Sequence, residues 1–224
     1  MHWMTRELMA SRDRHLNLLV GAAGRSARGW LIAALLVTLL LSASASQGAD
    51  AQLAERVTIG ALDLVLNGAG LRKKLFFRVY VVGLYLPEKR QSPADVFALP
   101  GPKRVSILLL RRLPALRLVD ALEAAIRRNS SLEEYRAVEG GLKDLFERML
   151  GLVEGEKGDI VTFDWLPGNG TTVALNGVPR GAPVPGADVY AALLKAWLGE
   201  RPVGTRLKEA LLGQPNGSMH SGAP

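Results

Sequence analysis

The chain of 224 residues contains no cysteine. Without cysteine there is no disulfide, no thiolate nucleophile and no zinc site with sulfur ligands. Its three histidines, His2, His15 and His220, all lie near the chain ends. The region between them therefore cannot hold a histidine general base, a Ser-His-Asp triad or a histidine-rich metal site. We expect no cofactor and no metal, and a chemistry that rests on arginine, lysine, carboxylates, hydroxyl groups and the backbone.

The sequence also lacks an apolar run of the ~20 residues that a membrane-spanning helix needs. The apolar run Trp30–Leu41 is shorter, follows Arg25 and Arg28, and precedes the small residues Ser42–Ala45. A basic stretch, a short apolar run and an A-x-A pattern are typical of a secretory signal. We therefore predict that residues 1–45 are a signal peptide and that the protein is periplasmic or secreted, with no stable membrane span after cleavage. An uncleaved membrane anchor is the alternative.

Two boundaries of this signal stay open. A second A-x-A pattern at Ala49–Ala51 means that cleavage falls after Ala45 or after Ala51. The stretch before the basic residues is long for a signal, so the first residues are interpreted as an N-terminal extension, with Met4 and Met9 as alternative starts.

The remaining chain is mildly basic, with 23 Lys and Arg against 19 Asp and Glu in residues 46–224. Its basic pairs are scattered and lack interleaved aromatic residues, so we interpret them as solvated charge and predict no nucleic-acid binding. These pairs are Lys103-Arg104, Arg111-Arg112 and Arg127-Arg128.

Strand patterns come first in this chain. Val57–Ile59 and Leu62–Leu66 alternate, and Asn67–Gly70 is predicted to end the second of them. Leu75–Leu86 is apolar at both odd and even positions and is predicted to be one strand covered on both faces. Another buried strand is expected over Lys103–Leu110.

Helical and hairpin patterns follow. The apolar spacing after Pro114 predicts an amphipathic helix, and Ser131 with Glu134 is a capping box that opens a second helix. Asn176-Gly177 predicts a β-hairpin. Two further helices are expected, one ending at Gly199 and one over Arg206–Leu212. Strands, helices, strands and helices in this order favour a single α+β domain over residues 52–213, followed by a small, polar and disordered tail, residues 214–224.

The segment Asn67-Gly-Ala-Gly-Leu-Arg72 carries the strongest chemical signal. Two glycines permit a close backbone approach, and Arg72 then stands at the start of the most apolar stretch. A guanidinium beside an apolar layer binds a carboxylate or enolate oxygen in a bidentate manner. The alternative is an ordinary turn whose cations, Arg72, Lys73 and Lys74, face solvent. A phosphate-binding loop is excluded, since neither glycine-rich phosphate motif is complete.

Three stretches together resemble the chalcone isomerase-like family: Gly68–Arg72, Phe77–Leu86 and Pro100–Val105. The late segment Tyr190–Gly199 is similar to an exported bacterial branch of that family. The resemblance covers most of residues 57–213. It implies an open-faced β-sandwich, in which an antiparallel sheet is packed by a layer of helices.

The resemblance also implies a site. In the isomerases an arginine that matches Arg72 steadies a phenolate, and in the fatty-acid binders it holds a carboxylate together with a tyrosine. Tyr80 stands at the position of a threonine of the isomerases, which is similar to the fatty-acid-binding branch, and Tyr85 is a further candidate for lining a pocket. The isomerases' polar helix residues are not matched, because Leu116, Val119 and Leu122 are apolar.

Three functions therefore remain. The first is binding of a small apolar or amphipathic carboxylate by Arg72, Tyr80 and Tyr85. The second is a cofactor-free isomerase in which Arg72 stabilises an oxyanion. The third is a non-catalytic structural or partner protein. Because eight residues span about 26 Å in an extended strand, Arg72 and Tyr80 can share a ligand only if the chain bends between them.

Overall fold

The structure of the protein is a computed structural model, and it describes residues 53–152 and 154–214. The predicted signal peptide, residues 1–45, and residues 215–224 of the predicted tail lie outside the described residues. In the described part, nine strands and five helices follow one another in α+β order. The strands are β1 (Arg56–Ile59), β2 (Leu62–Lys74), β3 (Phe77–Leu86), β4 (Lys103–Leu109), β5 (Leu113–Pro114), β6 (Glu154–Gly155), β7 (Ile160–Leu166), β8 (Gly170–Leu175) and β9 (Val178–Pro179). The helices are α1 (Pro93–Ala98), α2 (Ala115–Arg128), α3 (Leu132–Leu150), α4 (Ala187–Leu198) and α5 (Thr205–Leu211).

Seven of the described strands form one curled antiparallel sheet in the order β1-β2-β3-β4-β7-β8-β9. Strands β5 and β6 pair separately. The apolar side chains of β3, β4 and β7 that point to one face are buried against α2, α3 and α4, among them Val82, Ile107 and Phe163. This arrangement confirms the predicted open-faced α+β sandwich, with one side of the sheet covered by helices.

The local helix signals are confirmed. The predicted stripe of α2, including Leu118, Leu122 and Ile126, is buried in the core. Both hydrogen bonds of the Ser131–Glu134 capping box are present at the start of α3. Asn176-Gly177 forms the tight β8–β9 turn, with positive φ at both residues as such hairpins require.

The prediction for the stretch around Arg72 was wrong in three respects. Strand β2 does not end at Asn67–Gly70 but continues to Lys74. The predicted strand Leu75–Leu86 begins only at Phe77, because Leu75 and Phe76 form the turn of a β2–β3 hairpin. The start of this stretch is not covered on both faces either: Leu75 is 83% exposed and Phe76 97%.

The two glycines of β2 accommodate a helix that lies far away in the sequence. A Cβ atom on Gly68 would lie 2.0 Å from the carbonyl oxygen of Ala210, and one on Gly70 would lie 2.5 Å from the Leu207 side chain. Neither glycine has a positive φ. The predicted close backbone approach is therefore correct, but its partner is helix α5, and no turn is involved.

Asn67 attaches helix α5 to the sheet. Its side-chain amide donates to the carbonyl oxygen of Leu211 at 2.7 Å and to that of Arg90 at 2.9 Å, and its oxygen accepts from the Arg90 N–H. The residue sits at a register shift of β2, between Leu66 and Gly68. Helix α5 is thereby joined to strand β2, five residues before Arg72.

Lys103 and Arg104 are not the solvated pair that composition predicted. Lys103 is buried and its ammonium donates to the carbonyl oxygen of Leu99 at 2.5 Å. Burial lowers the pKa of Lys103. Arg104 binds Asp164 of the neighbouring strand through two hydrogen bonds, each of 2.5 Å. Both cations are thus fixed parts of the sheet.

None of the helices in residues 53–152 and 154–214 is long and apolar enough to cross a membrane.

Candidate functional site

Arg72 and Tyr80 are direct cross-strand partners in the β2–β3 hairpin. The turn at Leu75 and Phe76 supplies the bend that a shared ligand requires, so the separation of a single extended strand does not apply. Partners in an antiparallel pair stand side by side on one face of the sheet. The fold therefore brings these two predicted residues together.

Arg72 lies at the margin of the layer between sheet and helices. It is half-buried, and its Nη1 donates to the carbonyl oxygen of Lys73 at 3.0 Å. The same nitrogen lies 3.8 Å from the position that a Cβ on Gly204, just before α5, would occupy. Among the described residues no carboxylate forms an ion pair with Arg72. Its guanidinium is thus anchored to the backbone, and none of these residues offers its charge an acidic partner.

Tyr80 and Trp197 each bring a polar atom into the largely apolar layer between the sheet and the helices. Tyr80 is 6% exposed, and Trp197 of helix α4 is 1% exposed. Burial raises the pKa of the Tyr80 hydroxyl, while the adjacent Trp197 indole and the charge of Arg72 oppose that rise. The indole Nε1 is buried and finds no hydrogen-bond acceptor of suitable geometry within the described chain. A buried donor without an acceptor is costly, which makes this atom conspicuous.

Tyr85 does not belong to this cluster. It stands five residues after Tyr80 in the same strand, and alternate side chains point to opposite faces. Its ring packs with Ile59 and Leu64, and its hydroxyl donates to the carbonyl oxygen of Ala54 at 2.8 Å. The structure therefore places Tyr85 on the other face of the sheet, apart from Arg72 and Tyr80.

Two cavities of the described chain lie away from Arg72 and Tyr80. An apolar hollow between β4, α2 and α3 has a volume of about 10 Å³ and is lined by residues such as Leu109, Met149 and Val161. That volume corresponds to roughly one water-sized sphere. A larger open cleft of about 610 Å³ is lined by α1, α3, α4 and their neighbouring loops, with Phe97, Lys195 and Arg201 among its residues. Neither cavity includes Arg72 or Tyr80.

Trp197 is the residue of this cluster that the sequence did not reveal. Its position on the apolar stripe of α4 indicates an ordinary core residue, and its burial agrees with that interpretation. Only the fold shows that its N–H lies beside the hydroxyl of a strand residue more than a hundred positions earlier.

A sequence profile described as chalcone isomerase-like matches residues 45–213. The chain belongs to the chalcone isomerase-like family. The sequence resemblance on Gly68–Arg72 and Phe77–Leu86 is thereby confirmed, and these two segments form the hairpin that carries Arg72 and Tyr80.

This chalcone isomerase-like chain is also similar in fold to a solved structure, the crystal structure of an Arabidopsis thaliana fatty-acid binding protein. The two share 14% sequence identity, and the match has a TM-score of 0.51. It covers 70% of this chain and 96% of the other. At this identity the similarity shows the fold alone. Comparison with curated proteins gave no significant match.

Proposed function

We propose that this chalcone isomerase-like protein binds a small apolar carboxylate, similar to a fatty acid, through Arg72 and Tyr80. One observation carries the proposal: among the described residues, a guanidinium that forms no ion pair stands next to a buried hydroxyl, and the indole N–H beside that hydroxyl makes no hydrogen bond of good geometry. All three groups donate hydrogen bonds, and an ionised carboxylate only accepts them. In the described part of the chain these donors face no carboxylate, and a carboxylate ligand would supply one.

The surroundings favour this ligand class over a free inorganic anion. Tyr80 and Trp197 are part of the apolar layer between the sheet and the helices. A charged hydrogen bond at the edge of such a layer suits a molecule with one anionic end and an apolar remainder. The solved structure of similar fold is that of a fatty-acid binding protein, which points to the same class.

The apolar part of the ligand needs more space than the interior hollow of the described chain offers. The interior hollow of about 10 Å³ cannot hold a chain of methylene groups. Binding therefore requires displacement of core side chains or of a helix, and we expect the free energy for that displacement to come from burial of the ligand's apolar surface.

The isomerase alternative uses the same arginine, because a donor cluster of this kind also stabilises an oxyanion. The face of α2 that meets the core is apolar, with Leu118, Val119 and Leu122 buried. The geometry thus favours binding. Incubation with a chalcone, followed by loss of its visible absorption, tests catalysis separately.

The binding proposal is tested by extracting small molecules from the purified full chain and identifying them by mass spectrometry. We expect fatty acids or related carboxylates with the wild type and a reduction with Arg72→Ala. Arg136→Ala is the matched control, because Arg136 is an exposed arginine of α3. Equal amounts of the same material in all three proteins would refute the proposal.

We also propose that the protein acts outside the cytoplasm, in the periplasm or as a secreted protein. The support is the sequence pattern of residues 1–45, a basic stretch followed by Trp30–Leu41 and Ser42–Ala45. Cell fractionation and the mass of the recovered chain test this directly. Recovery of an uncleaved chain from the cytoplasm would contradict it.

A further inference from the structure

The turn of the β2–β3 hairpin exposes three consecutive large apolar side chains. Leu75 is 83% exposed, Phe76 97% and Phe77 58%. These residues with their neighbours, Lys73–Arg78, are named here the hairpin tip. Isolated exposed apolar residues are common on protein surfaces, but three in sequence at the end of a projecting hairpin form a patch that typically marks an interaction site.

The backbone conformation of this turn does not favour the apolar residues that occupy it. Leu75 has a φ of 53°, in the left-handed region that glycine or asparagine normally occupies in a turn. A leucine at this position gains nothing from packing, since its side chain is exposed. Neither turn geometry nor core packing accounts for Leu75 and Phe76, so their apolar character serves something outside the described chain.

Basic residues surround the apolar turn. Lys73, Lys74 and Arg78 are exposed at the two strand ends, and the guanidinium of Arg111 lies 5.0 Å from the centre of the Phe77 ring. The adjacent Arg112 is bound to Glu154 and lies 3.4 Å from Glu156. Glu154 and Glu156 are thus already paired with Arg112, and the hairpin tip itself carries three cations and no carboxylate.

We propose that the hairpin tip docks onto an anionic lipid surface. Apolar side chains with aromatic rings enter the boundary between lipid head groups and acyl chains, while lysine and arginine remain at the level of the phosphates. Charge complementarity favours an anionic lipid surface over a second copy of the chain. Two hairpin tips in contact would bring the basic residues of one against those of the other. The proposal goes beyond the carboxylate-binding function and does not depend on it.

Arg72 lies beside the hairpin tip, so docking of the tip would also fix the distance of Arg72 from the lipid. Arg72 lies in β2 directly before Lys73, so the carboxylate-binding cluster and the hairpin tip share one end of the hairpin. A protein seated on lipid by this tip would hold Arg72 close to the head-group region, where an amphipathic carboxylate resides.

A position-specific probe tests the docking in the full chain, where the apolar run Trp30–Leu41 would complicate simple sedimentation with vesicles. The sequence has no cysteine, so Leu75→Cys carries a single environment-sensitive fluorophore. Val178→Cys is the matched control, since Val178 is also exposed, at 57%, and belongs to the edge strand β9. The probe is titrated with vesicles of phosphatidylglycerol and phosphatidylcholine, and with phosphatidylcholine alone.

We expect the fluorophore at position 75 to shift to shorter wavelength with the anionic vesicles and to be quenched by a lipid-borne quencher, with no such response at position 178. In the same labelled chain, Phe76→Ser should weaken binding about 10-fold or more, whereas Leu132→Ser, at another exposed leucine, should not. Lys74→Gln should weaken it about 5-fold and Lys143→Gln should not.

Three results would overturn the proposal. The first is no response at position 75, and the second is an equal response at both positions. The third is a response that rises with protein concentration without vesicles, which would assign the tip to a second copy of the chain. Circular dichroism of each variant shows whether it has folded. Loss of vesicle binding in Phe76→Ser with unchanged fatty-acid content would separate this proposal from the carboxylate-binding one.

Discussion

Two arginines of the sheet each lie opposite a tyrosine of β3, but their other neighbours differ. Arg104 is the cross-strand partner of Tyr85, and Arg72 is the cross-strand partner of Tyr80. Arg104 also faces Asp164 on its other side and binds both carboxylate oxygens. On the side of Arg72 away from Tyr80, the described chain supplies no carboxylate.

The difference separates a structural arginine from one that is available to a ligand. The Arg104–Asp164 pair is largely buried, with side chains 19% and 14% exposed, so the protein satisfies that charge internally. Arg72 is held by a backbone carbonyl, and no carboxylate of the described residues pairs with its charge. We infer that the two residues respond in opposite ways to substitution, one in stability and the other in binding.

The largest effect is expected from Asp164→Ala. It leaves the Arg104 guanidinium partly buried without its counter-charge, and we expect the free energy of unfolding to fall by about 2–3 kcal/mol. Arg72→Ala, which breaks no ion pair, should change it by less than about 1 kcal/mol. Urea unfolding followed by circular dichroism measures both. Similar losses for the two variants would show that Arg72 is as structural as Arg104.

A smaller effect, on binding alone, is expected from Tyr80→Phe. The substitution removes one hydrogen bond, which contributes about 0.5–1.5 kcal/mol to binding. We therefore expect the affinity for a fluorescent fatty acid to fall roughly 2- to 10-fold. The methyl ester of the same probe should bind both proteins equally, because it has no carboxylate.

Tyr85→Phe is the matched control for this experiment. It removes the hydrogen bond to Ala54 on the other face of the sheet and should leave the affinity unchanged. A loss of affinity in Tyr85→Phe as large as that in Tyr80→Phe would contradict the assignment of Tyr80 to the carboxylate.

The sequence could predict the parts of this fold that depend on local patterns. The apolar stripe of α2, the Ser131–Glu134 box and the Asn176-Gly177 turn each require only a few neighbouring residues, and each is confirmed. The sequence also singled out Arg72 and Tyr80, because the resemblance to relatives placed them at matching positions.

Non-local contacts explain what the sequence could not reveal. Gly68 and Gly70 are required by helix α5, which follows more than a hundred residues later, so they resemble a turn when considered alone. The boundary between β2 and β3 was missed because Leu75 and Phe76 are apolar and lack the usual turn residues. An apolar residue that is exposed for another reason cannot be distinguished by pattern from one that is buried.

The smallest expected effect concerns the ionisation of Tyr80. The charge of Arg72 lowers the pKa that burial raises, so Arg72→Ala should move the pKa of Tyr80 further above its ordinary value of 10. Alkaline titration of tyrosinate absorbance measures this shift, and subtraction of the curve for Tyr80→Phe isolates Tyr80 from the other three tyrosines. Because the pKa of Tyr80 is raised in the folded protein, the neutral hydroxyl contributes fully to the free energy of unfolding below pH 10. This contribution is lost as the pH rises through the folded pKa, and the loss should be larger in Arg72→Ala. An unchanged Tyr80 curve in Arg72→Ala would mean that the guanidinium does not act on the hydroxyl, and the comparison with Arg104 and Tyr85 would lose its basis.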